Sequence, residues 1–306
     1  MKPNNRNISA YFAHIIRSVI YGSTFLFTGN LVQTVSVSDV LALRFLISAA
    51  VFLLLTAFGF VHISYKGKNL RLLAVTALLE PILYFIFETK GLEGINTSLA
   101  GVLCAMTPIV TVILETVILK ERTTVLQKLF LIIGISGVTA ATVGSVDGSG
   151  RNTVWGIFCI AAAYISGSFF TICSRKVSEQ FSAIDITFFT TMIGAVVFGS
   201  FSFIRHLGNG TLSDYFQPLA SPENLTGFLF LGIVSSIIAT VLNNYALARV
   251  QASNLSALGG ISSIVSIILG LTVNHEQWRV NQLFGAAMII IGAVGVNYIM
   301  VKKSKI

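Results

Sequence analysis

Between Ile8 and Lys302 the sequence returns repeatedly to apolar runs of about 20 residues, the length that carries an α-helix across the hydrocarbon core of a bilayer. The runs lie near 10–31, 39–60, 70–89, 97–119, 126–144, 153–173, 184–204, 226–247, 254–273 and 281–301. Short polar loops separate them, the longest from Arg205 to Leu225 and rich in Gly, Ser, Asn and Pro. Runs such as VFLLLTAFGF and AAMIIIGAVGV do not alternate between apolar and polar positions. That excludes the closed barrel, the other backbone that lipid tolerates. The expectation is an all-α polytopic membrane protein of ten transmembrane helices. Charged residues make up 10% of the chain, where a water-facing domain carries roughly 25%.

The basic residues set the orientation. Lys90, Arg151, Arg205 and Arg279 fall on one side, and Arg17 and Arg44 fall inside helices. The other fourteen of the 20 Lys and Arg gather on the opposite side. The positive-inside rule then places both termini in the cytoplasm. The net charge of +8 follows from this asymmetry and not from a nucleic-acid surface, since no basic helix or aromatic–basic interleaving occurs. The start, MKPNNRNISAYFAHIIRSVIYG, is expected to be a short cytoplasmic tail entering the first helix. His14 and Arg17 break the apolar core a signal peptide needs. Cys104, Cys159 and Cys173 lie in apolar segments at spacings that suit neither a disulfide framework nor a metal site, and read as small buried hydrophobes.

The chain partly repeats itself at one constant offset. Leu92 meets Leu247, Ser98 meets Ser253, Glu121 meets Glu276, Gln127 meets Gln282 and Gly137 meets Gly292. Five helices per half is an odd number, so the second half enters the membrane from the opposite side. That is the inverted repeat of many secondary transporters. The expected units are residues 1–148 and 149–306.

The two ends of these units read ILKERTTVLQKLFLIIGISGV and VNHEQWRVNQLFGAAMIIIGAVGV. With Thr107-Pro108, Glu121, Gln127, Glu276 and Gln282, and with Arg44 in the second helix, they resemble the EamA family of the drug/metabolite transporter superfamily. Lys120 and His275 stand where the family often has Gly before the acid. The resemblance covers nearly the whole chain. It implies a cell-membrane exporter of small metabolites, amino acids among them. The membrane carboxylate in the first helix of the small multidrug resistance relatives is missing here, so their coupling scheme is not carried over.

Ionisable groups inside spanning helices are costly and face a cavity or a partner. Here they are His14, Arg17, Arg44, Glu80 and Glu115, with Glu88 near a helix end. Glu80, Tyr84 and Glu88 recur every fourth residue on one face, and Pro81 removes a backbone donor beside them. This stripe is expected to line the transport route, or Glu80 to be held by Arg17 or Arg44 as a structural pair. Similar stripes carry His14, Ser18, Tyr21, Phe25 and Thr28 in the first helix, and Thr107, Thr111 and Glu115 in the fourth, which Pro108 kinks. Others carry Tyr164, Ser168 and Thr171 in the sixth, Ser236, Thr240 and Asn243 in the eighth with Asn244 and Tyr245 beyond, and Asn254, Ser262, Ser263 and Ser266 in the ninth. Ser and Thr at such spacing also serve helix packing. Larger polar side chains are the better candidates, so Tyr21, Glu80, Tyr84, Tyr164, Asn243 and Asn244 are the expected substrate contacts. Arg17, Arg44, Glu80 and Glu115 are the expected coupling or ion-pair residues. Glu121 and Glu276, duplicated at helix ends, are expected to be structural.

No Walker loop, HExxH or GxSxG motif occurs, and the four histidines are scattered. The expectation is a non-enzyme without metal or cofactor, working as a monomer in the bilayer. A proton or a counter-substrate would drive a small-molecule substrate. Two alternatives stand beside it, a flippase for a lipid-linked polar substrate and a membrane-embedded enzyme.

Overall fold

Inside a bilayer every backbone N–H and C=O must be paired within its own segment, and the described residues answer with helices joined by short loops. The structure is a computed structural model describing residues 5–118, 124–142, 153–250, 255, 258, 260–277 and 280–303, and these form no strand. The helices are α1 Asn5–Leu31, α2 Val37–Ala57, α3 Leu70–Ala77, α4 Tyr84–Glu93, α5 Thr97–Cys104, α6 Thr107–Ile118 and α7 Val125–Thr142. They continue as α8 Val154–Val177, α9 Ala183–Asn209, α10 Pro222–Leu229, α11 Thr240–Leu247, α12 Gly260–Thr272 and α13 Val280–Lys303. Among the described residues six continuous segments are long and apolar enough to cross a membrane: Val37–Ala57, Leu70–Glu93, Val125–Thr142, Val154–Val177, Ala183–Asn209 and Pro222–Leu247. Large apolar side chains such as Val196, Phe201, Phe284 and Val294 point outward, as lipid contact requires.

Three interruptions shape the interior of the bundle. Between α3 and α4, Leu78–Leu83 is a π-helical stretch in which Glu80 leaves helical geometry (φ −143°, ψ 118°) and Pro81 follows. Ala105 and Met106 separate α5 from α6. Between α10 and α11, Phe230–Ala239 is again π-helical. π-Helical turns of this kind are frequent at functional sites.

The helices pack in a few dominant pairs: α7 with α13, α2 with α9, α5 with α12, α4 with α8, and α1 with both α11 and α12. Where α7 crosses α13, glycines let the backbones touch. A Cβ on Gly292 would stand 2.7 Å from the Cα of Gly134.

The α2–α9 pair is tied at both ends by an aspartate in the first turn of each helix. Asp39 takes Arg205 at 2.6 Å and His206 at 3.2 Å from the end of α9. Asp185, in a capping box with Ser182, accepts the backbone N–H of Ser64 at 3.0 Å and faces Lys68 at 3.6 Å. The aromatic core runs through the middle of the bundle, with Phe25, Phe45, Tyr84, Phe85, Tyr164 and Phe198 in one cluster.

Candidate functional site

At the heart of the bundle lies a cavity of about 70 Å³ whose wall includes Arg17, Tyr21, Glu80, Tyr84, Tyr164 and Asn243. Its parts come from α1, the broken segment before α4, the α5–α6 junction, α8, α11 and α12. The break at Glu80 sets the local chemistry. In a continuous helix Glu80, Tyr84 and Glu88 would share one stripe. Leaving helical geometry turns the Glu80 carboxylate toward α1, where Oε1 accepts the Tyr21 hydroxyl at 3.1 Å. Ser166 on α8 donates to the carbonyl of Leu79 at 2.9 Å, holding the broken turn from the other side. The Arg17 guanidinium lies 3.9 Å above the Tyr21 ring, a cation–π contact. No ion pair to Glu80 forms among the described residues; its partner is the phenol.

The other members of the expected stripe part company. Tyr84 stays at the cavity and donates to Glu88 Oε1 at 3.3 Å. Glu88 itself is 1% exposed and turns to Arg44, with Nη1 and Oε2 3.9 Å apart. Arg44 lies outside the cavity wall, equally buried. It donates to Ser236 at 2.8 Å and Ser235 at 2.9 Å, both in the π-helical stretch before α11, and sits 4.1 Å above the Phe85 ring. A buried arginine thus braces both broken helices. Its pairing with Glu88 is invisible in the sequence, because the two residues lie on separate helices at no telling spacing.

Tyr164 reaches across the cavity to the Ala100 carbonyl at 3.0 Å. Asn243 and Asn244 separate, as consecutive helical residues must. Asn243 lines the cavity. Asn244 points away, accepting from Ser174 at 2.9 Å and donating to Thr187 at 3.1 Å, which joins α11 to α8 and α9. The side chain of Glu115 and the whole of Glu121 lie outside the described residues. Glu276 accepts the backbone N–H groups of Thr97 at 2.9 Å and Ser98 at 2.8 Å. It caps the start of α5, where the Asn96 side chain does not. Cys104, expected as a buried hydrophobe, also lines the cavity. The break at Ala105 and Met106 follows it directly, close to the kink expected at Pro108.

A second, more polar recess of about 280 Å³ opens where α1 ends and α5 begins, lined by Asn30, Gln33, Glu93, Asn96, Asn274 and Glu276. α5 joins the two spaces, with Thr97 at this recess and Cys104 at the central cavity. Among the described residues no group of His, Cys, Asp or Glu is arranged to hold a metal ion.

Comparison with known proteins places this architecture. The profile of the EamA-like transporter family matches residues 8–143 and again residues 154–298. The uncharacterized transporter YcxC of Bacillus subtilis (strain 168) is 34% identical over 296 residues, 97% of this chain and 95% of that one. A chloroplastic WAT1-related protein of Arabidopsis thaliana is 25% identical over 258 residues, 80% of this chain and 60% of the relative. A crystal structure with 16% sequence identity shares the fold, at a TM-score of 0.61 over 96% of this chain and 98% of its own.

Proposed function

The chain belongs to the EamA-like transporter family, and on that premise we propose that it is a secondary transporter exporting small metabolites, such as amino acids, across the cytoplasmic membrane. Membership and the apolar helices together make it an integral membrane protein of a transporter family. Ten helices, two inverted units (residues 1–148 and 149–306), both termini in the cytoplasm and a monomer complete the reading.

The observation that carries it is the central cavity. Carboxylate, guanidinium and phenol groups are gathered there, and the segment that carries the carboxylate is broken where it meets the cavity. Broken helices around a midplane site are the transporter's device for exposing polar groups in lipid. The packing supports the repeat. The Leu70–Glu93 and Pro222–Leu247 segments, third and eighth in order, both carry a π-helical stretch. α2, α5 and α7 each pack on the helix at their own place in the other half, α9, α12 and α13. The pairs α1–α11 and α4–α8 exchange with one another under the same two-fold relation.

Ligand pockets commonly measure about 300–1,000 Å³. A cavity of about 70 Å³ is smaller than these, so its walls must part to admit a solute. In this reading Glu80 is the coupling carboxylate, exposed to either side in turn, and the recess beside Glu93 and Glu276 is the outward path. Counterflow tests the reading. Proteoliposomes preloaded with unlabelled amino acids should accumulate the labelled amino acid transiently. Empty-vector vesicles should not. A panel of amino acids, nucleosides and organic cations with no counterflow at all would overturn it.

A further inference from the structure

The cavity wall is asymmetric in its hydrogen bonding. Its one described carboxylate, Glu80, is served by Tyr21. Its basic groups are poorly served. His14 is 5% exposed, and beyond its approach to the Leu255 backbone neither ring nitrogen makes a hydrogen bond of ordinary geometry among the described residues. Arg17, one turn further along α1, has an unpartnered buried Nε and lies flat on the Tyr21 ring. Both residues line the cavity. Arginine offers five donors and no acceptor, and imidazole offers at least one donor in either tautomer. Buried donors are nearly always paired, so orphaned ones facing a cavity point to a ligand that accepts. Residues three apart on a helix face the same way, so the two donor sets converge on one volume.

We propose that His14 and Arg17 form an oxyanion subsite in the central cavity, which holds a carboxylate or phosphate group of the solute. The proposal rests on the cavity being the solute's route. It adds which end of the solute is recognised and by which residues. Glu80, across the Tyr21 ring, supplies the opposite charge and leaves the rest of the cavity for a cationic or hydrogen-bonding end. An oxyanion entering beside Arg17 places a second negative charge near Glu80, with Tyr21 touching both residues, so substrate binding and the state of the coupling carboxylate are linked by geometry.

Native Cys104 lines the same cavity and reports its charge without any flux. Of the chain's three cysteines, Cys159 and Cys173 are replaced by serine, and the full chain is reconstituted in nanodiscs. Intact-protein mass spectrometry then follows modification by anionic sulfonatoethyl and cationic trimethylammonioethyl methanethiosulfonates, each normalised to glutathione. The subsite predicts faster anionic labelling, an anion-to-cation rate ratio about tenfold lower in Arg17→Gln, as focused charge acts on rates, and a ratio kept in Arg17→Lys. Sodium benzoate or inorganic phosphate should slow labelling of the Arg17-containing protein. Whichever protects names the group. A ratio that Arg17→Gln leaves unchanged, or a cationic preference with Arg17 present, overturns the subsite. If Cys104 does not react or the variant does not fold, melting temperature decides. Benzoate or phosphate must raise it above matched chloride, and less so in His14→Gln; no rise with either anion overturns the proposal. Counterflow can fail while this labelling pattern stands, and the reverse, so the two claims fall separately.

Discussion

The hydroxyl of Tyr21 donates to the carboxylate of Glu80 at 3.1 Å, joining the first helix to the break in the third across 59 positions of sequence. Removing the donor leaves a carboxylate in lipid-embedded protein with one acceptor unserved. Tyr21→Phe should lower stability by about 1–3 kcal/mol and slow exchange, read by thermal melting and counterflow on the same preparation. A variant that melts and transports like the parent would show that this bond matters to neither.

Arg44 and Glu88 make a sharper test, because both are about 1% exposed. Truncating one partner strands the other. Arg44→Ala should cost about 3–5 kcal/mol, and the double replacement Arg44→Met with Glu88→Met should recover most of the loss. A double-mutant cycle from denaturant melts measures the coupling. Additive losses would show that the 3.9 Å contact contributes nothing.

Glu276 caps a helix that belongs to the other half of the chain, through Thr97 and Ser98. Glu276→Ala should cost about 0.5–2 kcal/mol, the range of a lost N-cap. Glu276→Gln, which keeps an acceptor but loses the charge–dipole attraction, should cost less. Thermal melts of the two variants read the difference, and equal losses would contradict the cap.

At the α7–α13 crossing the backbones leave no room for a side chain on Gly292. Gly292→Val should force the helices apart and lower the melting temperature by several degrees, the response to about 1–3 kcal/mol of overpacking. An unchanged melt would contradict the close crossing.

The all-helical class was legible in the sequence because lipid leaves the backbone little choice, and six of the ten expected runs coincide with continuous described segments long and apolar enough to span. The breaks were only partly so. Pro81 announces one. The stretch FLGIVSSIIA carries no proline, yet it is π-helical, and the tertiary contact of its two serines with Arg44 has no local signal in the sequence. The stripe Glu80, Tyr84, Glu88 assumed an unbroken helix, and the break sends its two carboxylates to different partners. Asn243 and Asn244 looked equivalent until helix phase gave one to the cavity and the other to Ser174. The cavity-facing residues that periodicity picked out, Tyr21, Tyr164 and Asn243, sit on helices unbroken at those positions.

The central claim is that Glu80 belongs to the transport route and couples it. The most direct measurement compares Glu80→Gln with the parent protein in proteoliposomes, for a solute that shows counterflow, with and without an imposed pH gradient. The account predicts that the variant loses gradient-driven accumulation while exchange persists. If both persist and only the melting temperature falls, Glu80 is a packing residue and the claim is wrong.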